Sequence, residues 1–209
     1  MSFLIQTFLT LFVVIDPVGL MPIFITLTGK HSEEQQEQIA RQAVLVAAGI
    51  MLVFALSGNW LLRYLGISIE AFEVAAGILL LKIALDMVFT KVEGETVEEE
   101  KEAQLSEDVS VFPLAIPLLA GPGTLASILI FTSEEAHSDL LSLVMILAIA
   151  AVVLSITYVL FRFSKKLADL LGYTGVLVVT RVLGVLLAAL AVQYIINGVI
   201  VVLKNALVS

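Results

Sequence analysis

Asp16-Pro17-Val18-Gly19-Leu20-Met21-Pro22 interrupts a run from Ser2 to Gly29 that is otherwise free of charge. Proline removes a helical N–H donor and clashes with the preceding turn, while glycine adds backbone freedom without bulk, so the cluster predicts an unwound point inside a helix. A second cluster, Pro117-Leu118-Leu119-Ala120-Gly121-Pro122-Gly123-Thr124, sits inside the charge-free window Val109–Ser133. In hydrocarbon an unpaired backbone group is expensive, so a broken helix persists only where protein buries the break or a polar cavity satisfies it. Two breaks near the middle of two spans therefore define the fold problem.

The composition makes lipid the solvent. The 209 residues are 60% hydrophobic and 14% charged, with a mean hydropathy of +1.07, against roughly 45–50% apolar and 25% charged for soluble domains. A spanning helix needs about 20 mostly apolar residues. Gln42–Leu62, Leu140–Phe161 and Val182–Leu203 meet that need without a charge, and Ile67–Phe89 meets it while carrying Glu70, Glu73, Lys82 and Asp86. With the two broken windows this predicts an all-α membrane protein of six transmembrane helices. No basic residue precedes the first apolar run, so it reads as mature structure rather than a signal peptide.

Lys30, Arg41, Lys91, Lys101, Arg162, Lys165 and Lys166 fall in alternate loops, against Arg63 and Lys204 on the other side. The positive-inside rule then places both termini outside a cell membrane. Residues 93–108 hold eight acidic side chains and one lysine, a composition for a solvated cytoplasmic linker. It separates residues 1–92 from 109–209. The segment Leu167–Thr180, with Gly172 and Gly175, is long enough for an interfacial or re-entrant piece before the last span.

Several chemistries are excluded. No cysteine is present, which removes disulfides and thiolate sites. The two histidines, His31 and His137, lie in polar stretches and give no metal-ligand spacing, and the net charge of −8 opposes nucleic-acid binding. The chain has no phosphate-binding GxxxxGKS/T loop and no GxSxG elbow, so neither a nucleotide-driven pump nor a membrane hydrolase is expected. We expect no enzyme and no cofactor beyond a coupling proton or sodium ion.

The two halves align with each other. Pro17 matches Pro122 at an offset of 105 residues, and Ala76-Gly77-Ile78-Leu79-Leu80 matches Leu183-Gly184-Val185-Leu186-Leu187 at 107. Three helices per half is an odd number, so the halves are expected to be inverted repeats, with helices one and four broken near mid-membrane. Half-helix N-termini meeting there offer N–H groups to a carboxylate, and the opposing carbonyl ends take an ammonium. A small zwitterion fits those poles. The expected binding residues are Asp16, Pro17, Gly19, Met21, Pro22, Gly121, Pro122, Gly123 and Thr124.

Asp16 has two compatible roles, capping the half-helix that starts at Pro17 or holding a substrate amine or coupling proton. Lys82 and Asp86, four apart, share a helix face and are expected to pair; with Arg181 and Gln193 they are the candidate intramembrane polar or coupling residues. Arg181 reads as the start of the last span. Gln193 and Asn197 are expected to hydrogen-bond across helices, and Gly77, Gly184, Ala188 and Ala191 to let helices three and six pack closely.

At Asp16-Pro17-Val18-Gly19-Leu20-Met21-Pro22-Ile23-Phe24, Ala120-Gly121-Pro122-Gly123-Thr124 and Arg181-Val182-Leu183-Gly184 leading into Ala191-Val192-Gln193, the chain resembles the MarC family of integral membrane proteins. The resemblance covers nearly the whole length and implies a transporter of small neutral amino acids such as glycine and alanine, as in SnatA-type members, with helices one and four discontinuous around the substrate. In plan the chain is also similar to the LysE group of amino-acid exporters. Two positions depart from the family pattern: Leu20 stands where Asn is common, and Ala76-Gly77 where a double glycine is common. The expected function is alternating-access transport at a midplane site. Its alternatives are a passive channel, an exporter of another small solute, or a membrane subunit that transports nothing; substrate, direction, coupling ion and oligomeric state stay open.

Overall fold

The computed structural model describes residues 2–89, 108–133 and 140–208, and every regular element among them is helical. In chain order these are α1 Ser2–Ile15, α2 Leu20–Thr28, α3 Glu33–Tyr64, α4 Ile69–Phe89, α5 Ser110–Leu119, α6 Pro122–Ser133, α7 Leu140–Arg162 and α8 Ser164–Val208. The acidic linker, apart from Asp108, and His137 lie outside the described residues.

Both interruptions appear as bends. Phe3–Ile15 and Leu20–Thr28 meet at 43°, and Ser110–Leu119 and Pro122–Ser133 at 53°. Three unbroken stretches, Glu33–Tyr64, Leu140–Arg162 and Thr174–Lys204, are long and apolar enough to cross a membrane, and each bent pair qualifies if taken as one span. That gives three to five candidate spans rather than six. The difference is α4, whose 21 residues reach about 30 Å at 1.5 Å per residue, but whose four charges remove it on composition.

Local chemistry accounts for the elements. The Ser32 hydroxyl accepts from Gln35 N and the Gln35 side chain accepts from Ser32 N, a reciprocal cap that starts α3. Gln36 Nε2 donates to Thr28 O and His31 O at 3.0 and 2.9 Å, tying α3 to the last residue of α2 and to the connection that follows it. Within α5, Phe112 (φ −130°, ψ 125°) and Ile116 (φ −128°, ψ 124°) are extended, as residues preceding proline are forced to be. The second interruption is thus spread over more chain than the sequence suggested, and α5 ends with Ala120 N bonded to Ala115 O at 2.8 Å, five residues back.

Arg181 does not begin the last span. Gly172 (φ 63°, ψ 168°) is the turning point of α8, and the spanning stretch starts at Thr174. A single exposed arginine does not end a helix, so the charge-free window placed the boundary too late.

Helices α1 and α6, α3 and α7, and α4 and α8 pack antiparallel. The Phe3 ring at the start of α1 meets Phe131 near the end of α6 edge-on, centroids 6.0 Å apart. Glu37 in the early turns of α3 accepts from Arg162 Nη1 at 2.9 Å and Tyr158 Oη at 3.0 Å, both late in α7. Along α4 and α8 the contacts step in opposite directions: a Cβ on Gly198 would stand 2.6 Å from Glu70 O, one on Gly77 2.7 Å from Ala191 O, and one on Gly184 3.2 Å from Ala84 O. The small residues expected to let these helices approach do so backbone to backbone.

Two buried clusters result. One joins Leu11, Phe24, Met51, Leu114, Ile128 and Phe161, with Phe24 and Phe161 stacked at 4.5 Å. The other joins Val13, Val14, Ala76, Leu80, Ala126 and Leu187. Helices α1 and α6 contribute to both and so stand between them, while α3, α7, α4 and α8 carry many exposed Leu and Val side chains outward. At the mouth of α5, Asp108 accepts from the Ser110 hydroxyl and amide and from Gln42 Nε2 at 3.0 Å. The Ser110 hydroxyl above all holds the Asp108 carboxyl below its ordinary 3.8. This link is complete at neutral pH and is lost on acidification through that lowered range.

Gly77→Ala is expected to lower stability by about 1–3 kcal/mol through overpacking against α8. Gly49→Ala on α3, where an added Cβ meets nothing within 4 Å, should be neutral or stabilising by up to about 1 kcal/mol. Thermal unfolding of the detergent-solubilised protein distinguishes them; equal midpoints would contradict the close α4–α8 approach.

Candidate functional site

The first break turns on Asp16. Its amide donates to Phe12 O at 3.1 Å, closing the last turn of α1, and its carbonyl accepts from Leu20 N at 3.0 Å, opening α2. Between them its side chain bends back, and Oδ1 accepts from Gly19 N at 3.0 Å. One residue therefore ends one half-helix and caps the next. It does so at φ 45°, a left-handed conformation that aspartate tolerates better than most residues because its short side chain bonds locally. The capping role is present in the geometry.

Gly19 is required at this corner. A Cβ there would collide with the Asp16 carboxylate and stand 3.0 Å from Thr180 Oγ1 of α8. Pro17 and Met21 are buried, Pro22 is half-buried, and Leu20 faces the first cluster.

The second break lies at Ala120–Gly121. Leu125 N bonds to Gly121 O at 3.0 Å, so the Gly123 and Thr124 amides fall in the first turn of α6, where a helix has no internal acceptors. Gly121 is buried against Pro117 O, and Thr124 is 2% exposed. Pro122 is exposed.

These two breaks adjoin. A Cβ on Gly123 would lie 3.2 Å from Val14 Cγ1, two residues before Asp16, with Leu80 Cδ2 at 2.8 Å and Ile83 Cδ1 at 3.2 Å closing in from α4. The end of α1, two residues before Asp16, thus packs on the first turn of α6, with α4 side chains closing over the contact.

The family follows from the chain as a whole. Residues 1–203 match the description MarC family integral membrane protein. The chain belongs to the MarC family. A UPF0056 membrane protein of Methanocaldococcus jannaschii is 36% identical over 200 residues, covering 95% of this chain and 97% of that one. YvbG of Bacillus subtilis is 34% identical, with 91% of each chain covered, and YhcE of Escherichia coli is 34% identical, with 92% and 89% covered. Both are described as UPF0056 membrane proteins. No solved structure matches the chain.

In this MarC-family protein the remaining polar residues stand apart from the breaks. Lys82 Nζ and Asp86 Oδ2 form the expected ion pair at 3.0 Å, but with the Lys82 side chain 77% exposed; Leu80 and Ile83 occupy the face of α4 that meets Gly123. Arg181 is exposed. Gln193 Nε2 donates to Asn197 Oδ1 at 2.7 Å along α8, so these amides satisfy each other within one helix instead of bridging two. No group of three or more His, Asp or Glu among the described residues could hold a metal ion. The residue that sequence reasoning passed over is Thr180, which adjoins Arg181 and carries no pattern of its own.

Replacing Asp16 by Ala removes the acceptor for Gly19 N and is expected to cost about 1–2 kcal/mol. Asp16→Asn keeps an oxygen in place and should stay within about 0.5 kcal/mol of wild type. Denaturation in detergent reads the difference, and an alanine variant as stable as wild type would refute the capping role.

Proposed function

We propose that this protein is a secondary transporter of small neutral amino acids, with glycine and alanine the expected substrates, working by alternating access around the junction of its two broken helices. The observation that carries the reading is the contact of Val14 with Gly123, which brings both breaks to one place. Asp16 and the carbonyl end of α1 supply the pole for an ammonium, and the Gly123 and Thr124 amides supply the pole for a carboxylate. Pro17, Gly19, Met21, Pro22, Gly121 and Pro122 shape the space between.

The architecture that serves this mechanism is a pair of inverted three-helix repeats, α1–α4 and α5–α8, with α4 as the sixth span and both termini outside a cell membrane. Antiparallel packing of α3 with α7 and of α4 with α8 supports inversion, because each of these helices meets its opposite number head to tail. Lys30, Arg41, Arg162, Lys165 and Lys166 gather at the end where α2 and α7 finish, which supports the orientation. In this reading the solute is moved unchanged, and the protein performs no catalysis.

Counterflow of labelled glycine into proteoliposomes tests the proposal. Saturable exchange, inhibited by excess alanine, is expected for wild type. Gly123→Val should abolish it by forcing α6 away from Leu80 and Val14. Flux that rises linearly with concentration would mean a channel, and no flux from verified, folded protein would remove glycine and alanine as substrates.

A further inference from the structure

Hydroxyls on the helices of this protein mostly turn back on their own backbone. Thr7, Thr28, Ser57, Ser127, Ser155 and Thr157 each donate to the carbonyl four residues earlier, at 2.7–2.9 Å. Thr180 does not. Its Oγ1 is buried and has no hydrogen-bond partner, although the same turn-back was open to it on α8. It points instead at the first break, 3.0 Å from where a Cβ of Gly19 would stand.

The Asp16 carboxylate meets that point from the other side. Oδ1 is taken by Gly19 N, and Oδ2 is the oxygen nearest the same missing Cβ. Both oxygens lie within 3.0 Å of that point, so they are close enough to each other for one small cationic group beside the turn to bond both at ordinary hydrogen-bond lengths of about 2.8–3.0 Å. A buried hydroxyl left unmade is costly, and so is a carboxylate oxygen within a membrane. One cation satisfies both.

We propose that Thr180 and Asp16 form a binding site for a compact monovalent cation, either the primary ammonium of a substrate or a sodium ion, held between α8 and the α1–α2 break. This rests on the transporter reading for its purpose but not for its existence. It gives α8 a direct hold on the ligand, while the bare Gly19 leaves the Asp16 carboxylate room to sit against the turn. Threonine contributes its hydroxyl oxygen as acceptor, a role serine can fill and valine cannot.

The test uses purified, detergent-solubilised full-length protein at constant ionic strength in choline chloride, sodium chloride or methylammonium chloride. Wild type is expected to gain several degrees in thermal midpoint with sodium or with methylammonium over choline, and which of the two does so identifies the source of the cation. Thr180→Ser should keep the gain, and Thr180→Val and Asp16→Asn should lose it while unfolding cooperatively in choline. A wild-type midpoint unmoved by either cation would overturn the site, as would a gain that survives in Thr180→Val. Glycine counterflow in parallel separates the two claims. Wild type that shows the cation effect without exchange keeps the site and loses the amino-acid reading; exchange without a cation effect does the reverse.

Discussion

A helix broken inside a membrane must find partners for the backbone groups it releases, and the design of this protein follows from how the two breaks meet that demand. At the first, Asp16 uses all three of its hydrogen-bonding groups locally: amide to Phe12, carbonyl to Leu20, carboxylate to Gly19. At the second, Ala120 N reaches five residues back and Gly121 O takes Leu125 N. These bonds do not use the second carboxylate oxygen of Asp16 at the first break or the first-turn amides of α6 at the second.

Holding the breaks together is the task of α4 and α8. Between helices in lipid there is little hydrophobic drive, so close association depends on small residues that let backbones touch. Gly77, Gly184 and Gly198 provide three such points along one antiparallel seam. From that seam each helix reaches across to the other half: Leu80 and Ile83 of α4 pack on Gly123, and Thr180 of α8 faces Gly19. Each break is therefore covered by the last helix of the opposite half.

Much of this was legible in the sequence, and the reasons are physical. Proline and glycine act locally, so the breaks at Asp16–Gly19 and Ala120–Gly121 were readable, as was the pairing of Lys82 with Asp86 one turn away. The extended residues Phe112 and Ile116 obey an equally local rule, since each precedes a proline. Span counting was less secure where charge and length disagree: α4 is long enough but charged, and α8 continues through Arg181 because a side chain at the surface leaves the helical backbone intact. Gln193 and Asn197 were misassigned because spacing of four permits a bond along a helix as readily as between helices. Thr180 was invisible, since only tertiary structure tells a hydroxyl turned toward a break from one folded onto its own carbonyl.

The two breaks differ in charge. The offset that matches Pro17 to Pro122 sets Asp16 against Gly121, so the carboxylate has no counterpart in the second half. Two identical breaks would present two like poles, suited to a symmetric ion. Here one break carries an anion and a facing hydroxyl, and the other only helix-start amides. In the proposed reading, it is the carboxylate present at one break and absent from the other that sets the direction in which a bipolar solute lies between them.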